Sequence, residues 1–306
     1  NKLLKLAVDS GIKYVVLEVT SNGLDQFRVW GLKFDVSVIT NINPDHLDYH
    51  KTMEKYVDAK SKIIKQSNSV VINRNIPYFS KLTKIAKDRK IKLSAFRLSE
   101  YPQKANLQAA TEAIEMLGLK IKNQNKIIMS FPGVPGRMET VFDNKFKIII
   151  DFAHTPESLL AALREIRLNV KNGGRLIAVF GCAGKRDHGR RRMGAVAAKS
   201  ADFFVITAED PRTENVEDIS EEISAYAEKA GASEVYETEF ADRKFRKLQT
   251  FIRIPDRQEA INFAVKMAKT GDVIGLFGKG HEKSMAFGNT ETPWSEHEAV
   301  KKALKK

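Results

Sequence analysis

The chain has 306 residues, 42% hydrophobic and 29% charged, with a formal net charge of +13 and one cysteine, Cys182. This is the composition of an ordinary globular protein long enough for two domains; a lone cysteine excludes an internal disulfide framework and suits a reducing cytoplasm, and neither a membrane-length apolar run nor a signal peptide is visible. The basic excess concentrates anions, and without an aromatic-plus-basic RNA motif, zinc finger or basic helix it points to phosphate-bearing small molecules rather than nucleic acid.

In chain order, Lys2 to Gly11 reads as the tail of a helix already under way, so the chain is expected to be truncated at its amino end. Tyr14 to Val19, Asp35 to Thr40 and Ser69 to Ile72 are short, apolar and β-branched, and predict strands. Glu54 to Lys65 and Ala105 to Leu117 predict helices. The Pro- and Gly-rich segment Phe131 to Gly136 is the strongest break and sets two domains, 1–133 and 134–306. Beyond it, strands are predicted at Lys147 to Asp151, Arg175 to Phe180, Phe203 to Thr207, Phe251 to Ile254 and Asp272 to Phe277. Helices are predicted at Pro156 to Leu168, Met193 to Ser200, Val216 to Ala230, Asp256 to Lys269 and Ser295 to Leu304. Alternating strand and helix implies a mainly parallel sheet covered on both faces. The polar segment Glu237 to Gln249 reads as a loop or irregular hairpin.

Chemistry-bearing residues follow these strands, where open α/β sheets bind ligands. Glu18 ends the first strand and is followed by Thr20, Ser21 and Arg28. A strand-end carboxylate can meet magnesium, and hydroxyls with a guanidinium suit phosphate or sugar oxygens, although a lone strand-end Glu is usually just solvated. The run from Asn41 to His50 contains Asp45, His46, Asp48 and His50, which make either a polar site or an Asp-capped turn. Lys60 by itself reads as a solvated helix lysine. Arg137, just past the break, is either a hinge surface charge or a cation that closes onto a phosphate.

Asp151 and His154 flank a strand end that leads into a Thr-Pro helix start. Gly181 to Arg192 is a basic turn able to bind anions through backbone NH groups, or simply a solvated loop. Glu209-Asp210-Pro211-Arg212 reads as a turn on its own. In Gly278-Lys279-Gly280-His281-Glu282 the glycines permit close backbone approach to a ligand.

Taken in order, Gly136 to Glu139, Asp151 to Pro156, Glu209 to Arg212 and Gly278 to Glu282 resemble the carboxy-terminal domain of the Mur ligases, ATP-dependent amino-acid ligases of peptidoglycan synthesis. Asp45 to His50 is similar to a run in their central domain. The resemblance implies an α/β chain: part of a central ATPase domain with a P-loop-NTPase-like parallel sheet, then a Rossmann-like α/β domain. It implies magnesium on Glu18, His46 and a carbamylated Lys60, and ATP on Asn41, Arg137, Asp151 and His154. Asp151 would bond the ribose and His154 the base or phosphate. It places a UDP-linked precursor on Thr20, Ser21 and Arg28, and the incoming amino acid on Arg191, Glu209, Asp210, Arg212, Gly278 and Glu282.

The implied reaction adds meso-diaminopimelate to UDP-N-acetylmuramoyl-L-alanyl-D-glutamate through an acyl phosphate, in a cytoplasmic monomer. Rival readings are the same ligase specific for L-lysine, a folylpolyglutamate synthase-like ligase, and a catalytically silent nucleotide- or precursor-binding module. The chain departs from the family pattern in lacking the glycine-rich phosphate loop, the uridine-binding domain and part of the stretch from Pro77 to Lys104, so alone it is expected to be inactive. Lys185 replaces an Asp or Gly, the triple arginine is one residue tighter than usual, and Glu209-Asp210 replaces Asp-Asn.

Overall fold

The computed structural model describes residues 2–97, 102–171, 173–236 and 249–305. Its contacts divide the chain into two compact units, Asn1–Arg97 with Leu107–Lys120, and Leu98–Asn106 with Ile121–Lys306.

The first unit runs α1 (Lys2–Asp9), α2 (Ser21–Asp25), β1 (Phe34–Ile39), α3 (Leu47–His50), α4 (Met53–Lys65), β2 (Ser67–Asn73), α5 (Phe79–Asp88) and β3 (Lys92–Phe96). The next helix, α6 (Pro102–Met116), belongs to it from Leu107 onward. The strands form a parallel sheet in the order β1-β2-β3. The central β2 is buried along nearly its whole length, as both faces of a parallel strand require. Val70 and Ile72 pack with Val57 and Ile64 of α4 and Leu82 of α5. In α4 the Thr52 side chain caps the first turn by accepting from Lys55 N. Glu54 near the start and Lys62 and Lys65 near the end suit the helix dipole.

The strand expected at Tyr14–Val19 does not form: residues 12–20 are irregular. A strand exists only through its ladder, and β1, the edge of this sheet, pairs with β2 alone. Without a neighbour the apolar run stays exposed, with Val16 100% accessible.

The second unit continues with α7 (Gln124–Ser130), β4 (Glu139–Asp143), β5 (Lys147–Asp151), α8 (Pro156–Arg167), β6 (Leu176–Phe180), α9 (Met193–Ser200), β7 (Phe203–Ile206), α10 (Val216–Lys229), β8 (Ser233–Glu234), β9 (Thr250–Arg253), α11 (Arg257–Met267), β10 (Val273–Phe277), β11 (Ser284–Phe287), β12 (Thr290–Pro293) and α12 (Glu296–Ala303). Seven strands form one sheet in the order β4-β5-β10-β6-β7-β9-β8. Only β4 runs antiparallel to its neighbour.

Alternation along the strands supplies a core on each face. Ala178 and Phe180 of β6 pack with Leu163, Ala197 and Ile223 of α8, α9 and α10. Ile177 and Val179 pack with Ile261 and Val300 of α11 and α12. The β11–β12 hairpin stands apart from the sheet. Residues 237–248, expected as a loop or irregular hairpin, lie outside the described residues. No helix among the described residues is long and apolar enough to cross a membrane.

Candidate active site at the strand ends

Because β5, β10, β6 and β7 are parallel neighbours, their carboxyl ends share one edge. Asp151, Gly278, Gly181 and the loop beginning at Glu209 fall along it.

At the β5 end, both carboxylate oxygens of Asp151 accept backbone NH groups, from Met138 at 2.8 Å and Ala153 at 2.8 Å. Burial raises its pKa, and these bonds with Arg137 pull against that rise. Asp151 therefore ties the segment carrying Arg137 to the strand end, besides any contact with a ligand. The exposed Arg137 guanidinium lies 4.5 Å from the Phe152 ring centroid. His154 and His281 pack on the same ring, at 4.8 and 5.2 Å. His154 Nδ1 is 2.8 Å from the Phe152 carbonyl. Immediately after it, Thr155 and Ser158 form a capping box that starts α8, with Pro156 in the first turn. Arg137, Asp151 and His154 are thus brought together. Phe152 and His281, which sequence reasoning passed over, complete the group.

At the β7 end, the loop Glu209–Arg212 is fastened to the β11–β12 hairpin. Arg212 N donates to Ala286 O at 3.0 Å, and Ala286 N donates to the Asp210 carboxylate at 3.0 Å. Gly184 lets the basic turn close on this loop, since a Cβ there would collide with the Pro211 carbonyl. Glu209 is buried, and its Oε2 finds no hydrogen-bond partner among the described residues. Burial pushes its carboxyl up to about 8, against the pull of Arg257, Arg190 and Lys279. The buried Nε of Arg212 likewise lacks a partner among the described residues.

Lys279, which sequence reasoning did not single out, links the two halves of this region. It is 1% exposed, and its ammonium donates to Asp210 Oδ1 at 2.7 Å and pairs with Glu282 Oε2 at 2.7 Å. Behind Glu209, the buried Arg257 pairs with buried Glu296. It also donates to the Ala208 carbonyl at 3.2 Å and the Phe277 carbonyl at 2.8 Å, joining the β7 and β10 ends to α12. Arg191, expected to receive the amino acid's carboxylate, is 1% exposed. It already donates to Glu214 at 2.9 Å, Glu222 at 3.2 Å and the Ala183 carbonyl at 3.3 Å. In this state it braces the basic turn.

In the first unit, Thr20 caps α2 by accepting from Gly23 N at 3.0 Å. Ser21 is buried, with its hydroxyl 2.9 Å from His50 Nε2. Burial lowers the His50 pKa. Asp25 accepts from Tyr49 at 3.0 Å and Lys62 at 2.6 Å, while Arg28 is exposed. Lys60 donates to the Asn41 carbonyl at 3.3 Å and sits over the Tyr56 ring. Burial lowers its pKa, with Asp45 opposing.

Of the residues expected at magnesium, Lys60 fits, since a desolvated amine is the form that carbamylates. Glu18 is exposed in the irregular segment. His46 Nε2 lies 3.4 Å from Asp45. No group of three or more His, Cys, Asp or Glu among the described residues could hold a metal.

Residues 1–142 match the Mur ligase middle domain family, and residues 136–280 match the family of the Mur ligase glutamate ligase domain. A UDP-N-acetylmuramoyl-L-alanyl-D-glutamate--2,6-diaminopimelate ligase of Clostridium perfringens is 31% identical over 98% of this chain, which spans 66% of that relative. The enzyme of the same name from Aquifex aeolicus is 35% identical over 99% of this chain, again with 66% of the relative spanned. The chain therefore spans just under two thirds of the length of these curated relatives. A solved structure of a ligase of that name covers 94% of the chain and 64% of its own, with 28% identity and a TM-score of 0.53. E. coli FolC in complex with ADP shares the fold, at a TM-score of 0.59 and 20% identity, covering 80% of this chain and 59% of its own. Matched along its two halves in order, the chain belongs to the Mur ligase family.

Proposed function

We propose that the chain is the nucleotide- and amino-acid-handling part of an ATP-dependent ligase that adds meso-diaminopimelate to UDP-N-acetylmuramoyl-L-alanyl-D-glutamate. The single observation that supports this best is that Arg212, its Nε unpartnered among the described residues, and the acid Glu282 stand on two loops fastened together through Lys279. A guanidinium and a carboxylate on two joined loops suit the carboxylate and ammonium of an amino-acid centre. The names of the relatives supply the rest of the reading.

In this reading the precursor's carboxylate displaces ADP from the γ-phosphorus of ATP, and the amine of the amino acid then displaces phosphate from the acyl phosphate. Arg137 moves from the face of Phe152 onto the phosphate oxygens, where a cation offsets growing negative charge. Asp151 holds Arg137 through Met138 N and keeps the hinge on the β5 end. His154 and Phe152 offer a ring surface to the base. Glu282 takes the distal ammonium and Arg212 the distal carboxylate, orienting the attacking amine. Magnesium bound in such a ligase would screen the phosphate charge. Glu18, His46 and a carbamylated Lys60 are the residues that would hold it, and none of these steps passes through it.

The test is phosphate release that requires ATP, the UDP-dipeptide and diaminopimelate together. It is run with the 306-residue chain alone and with the chain joined to the part of the Clostridium perfringens ligase that it does not match. Release only from the joined protein is the expected result. No amide product from the joined protein with any amino acid would reject the ligase reading.

A further inference from the structure

Asp210 sets a carboxylate in the loop that carries Arg212, at the distal end of the amino-acid site proposed above. Taken alone, an added negative charge at the distal end of the site repels a second carboxylate and favours lysine, whose distal end is a bare ammonium. The fold answers that charge with a buried cation. Lys279 is 1% exposed, and its Nζ lies 2.7 Å from Asp210 Oδ1 and 2.7 Å from Glu282 Oε2. The Asp210 side chain is 16% exposed and that of Glu282 38% exposed. Lys279 is thus buried against two more exposed carboxylates.

We propose that Lys279 is a specificity-determining positioning residue of the amino-acid site: by neutralising Asp210 it keeps the pocket balanced for an amino acid whose distal end is a zwitterion. The inference rests on the amino-acid site proposed above. The formal charges of Lys279 and Arg212 cancel those of Asp210 and Glu282. Glu209, its carboxyl pushed up to about 8 by burial, adds little charge near neutral pH. A balanced pocket accepts an ammonium beside a carboxylate, as at the distal centre of diaminopimelate. Removing Lys279 leaves a net negative pocket that suits the lone ammonium of lysine. A purely structural lysine would, when lost, weaken both amino acids alike. A charge-balancing lysine changes their ratio.

The experiment is calorimetric titration of the 306-residue chain and its variants with meso-diaminopimelate and with L-lysine. The unmutated chain is expected to favour diaminopimelate. Lys279→Met should shift the affinity ratio toward lysine by about tenfold or more, since an unbalanced charge at short range in a protein site exceeds the free energy of one decade. The pair Asp210→Asn with Lys279→Met restores balance and should restore the ratio, and Lys279→Arg should keep it. If Lys279→Met does not fold, Asp210→Asn alone decides, because it leaves Lys279 in excess and must strengthen the preference for diaminopimelate. A ratio unchanged in Lys279→Met, or in Asp210→Asn where that variant decides, overturns the inference, as does failure of the double variant to restore it. Binding of neither amino acid by the unmutated chain overturns the site itself, and the inference with it.

Discussion

The carboxyl of Glu209 occupies the space that any side chain at Gly278 would need. A Cβ built on Gly278 would collide with Glu209 Oε2, and Gly278 has φ of +103°, where side chains are rarely tolerated. The glycine at the β10 end thus admits a buried acid from the β7 end. That acid is forced toward its neutral form, from an ordinary value near 4.5 to about 8, chiefly by burial.

The consequence is a pH-dependent stability with a definite sign. Between about 4.5 and 8 the folded chain holds a proton on Glu209 that the unfolded chain releases. Stability from this group is therefore full below the lower value and is lost as pH rises through the upper one. Urea unfolding of the unmutated chain should show this decline. Glu209→Gln keeps the shape and removes the titration, so the difference between variant and wild type should grow in the variant's favour from pH 5 to pH 9. A constant difference across that range would refute a buried neutral Glu209.

Much of this edge was legible in the sequence because glycines, prolines and charged residues followed β-branched runs directly. The β5 strand and α9 have the bounds expected, and the other strands and helices expected after residue 140 differ by a residue or two at their ends. What escaped was of two kinds. The β11–β12 hairpin and β4 mix polar and apolar residues without a clear period, so nothing separated them from loops. Lys279, Arg257 and Glu296 are charged, and charge alone reads as surface; their burial is a tertiary fact, made tolerable by partners 69 and 39 residues away. Tyr14–Val19 failed in the opposite sense, as a strand pattern without a strand beside it. Arg191 was expected at a ligand and is held by Glu214 and Glu222, which no local pattern announced.

The Arg257–Glu296 pair is expected to hold the strand ends rather than act on a ligand. Its side chains are 1% and 0% exposed, and Arg257 also satisfies the carbonyls of Ala208 and Phe277. Removing one partner of a buried pair leaves the other charged and dry, at a cost of about 3–5 kcal/mol. Arg257→Met should lower stability by that order in denaturant melts. Adding Glu296→Leu should recover part of the loss, whereas additive losses would deny the coupling.

Lys60 is expected to take up carbon dioxide. Carbamylation needs the neutral amine, and burial lowers the pKa of this one, so more of it is neutral at a given pH than of a surface lysine. Incubating the chain with 13C-labelled bicarbonate should give a carbamate resonance that acidification removes. Lys60→Ala should abolish it, and its persistence in that variant would assign the modification elsewhere.

Arg212 should set the distal preference by a route different from that of Lys279. Diaminopimelate and lysine share an α-amino acid and a distal amine, and differ by the distal carboxylate. The Arg212 backbone is pinned in an unusual conformation, φ +55°, by its bonds to the β11–β12 hairpin, so its side chain leaves the loop in a fixed direction. Its Nε is buried without a partner among the described residues, and a ligand carboxylate on the guanidinium would add a bond that the chain does not make. A hydrogen bond to a charged group is worth about 1.5–3 kcal/mol, and about 1.4 kcal/mol is tenfold in affinity. Arg212→Ala should therefore weaken diaminopimelate by roughly ten- to hundredfold, while lysine, facing a net negative site, should bind no worse than before. Loss of Lys279 shifts the ratio the same way, but Asp210→Asn restores it there, whereas the bond lost with Arg212 is not recovered by removing a charge. Arg212→Lys should recover little, because an ammonium cannot reproduce the two-pronged contact of a guanidinium. Titrations with both amino acids decide the matter: equal weakening of both in Arg212→Ala would make Arg212 a support of the loop and move the distal carboxylate elsewhere.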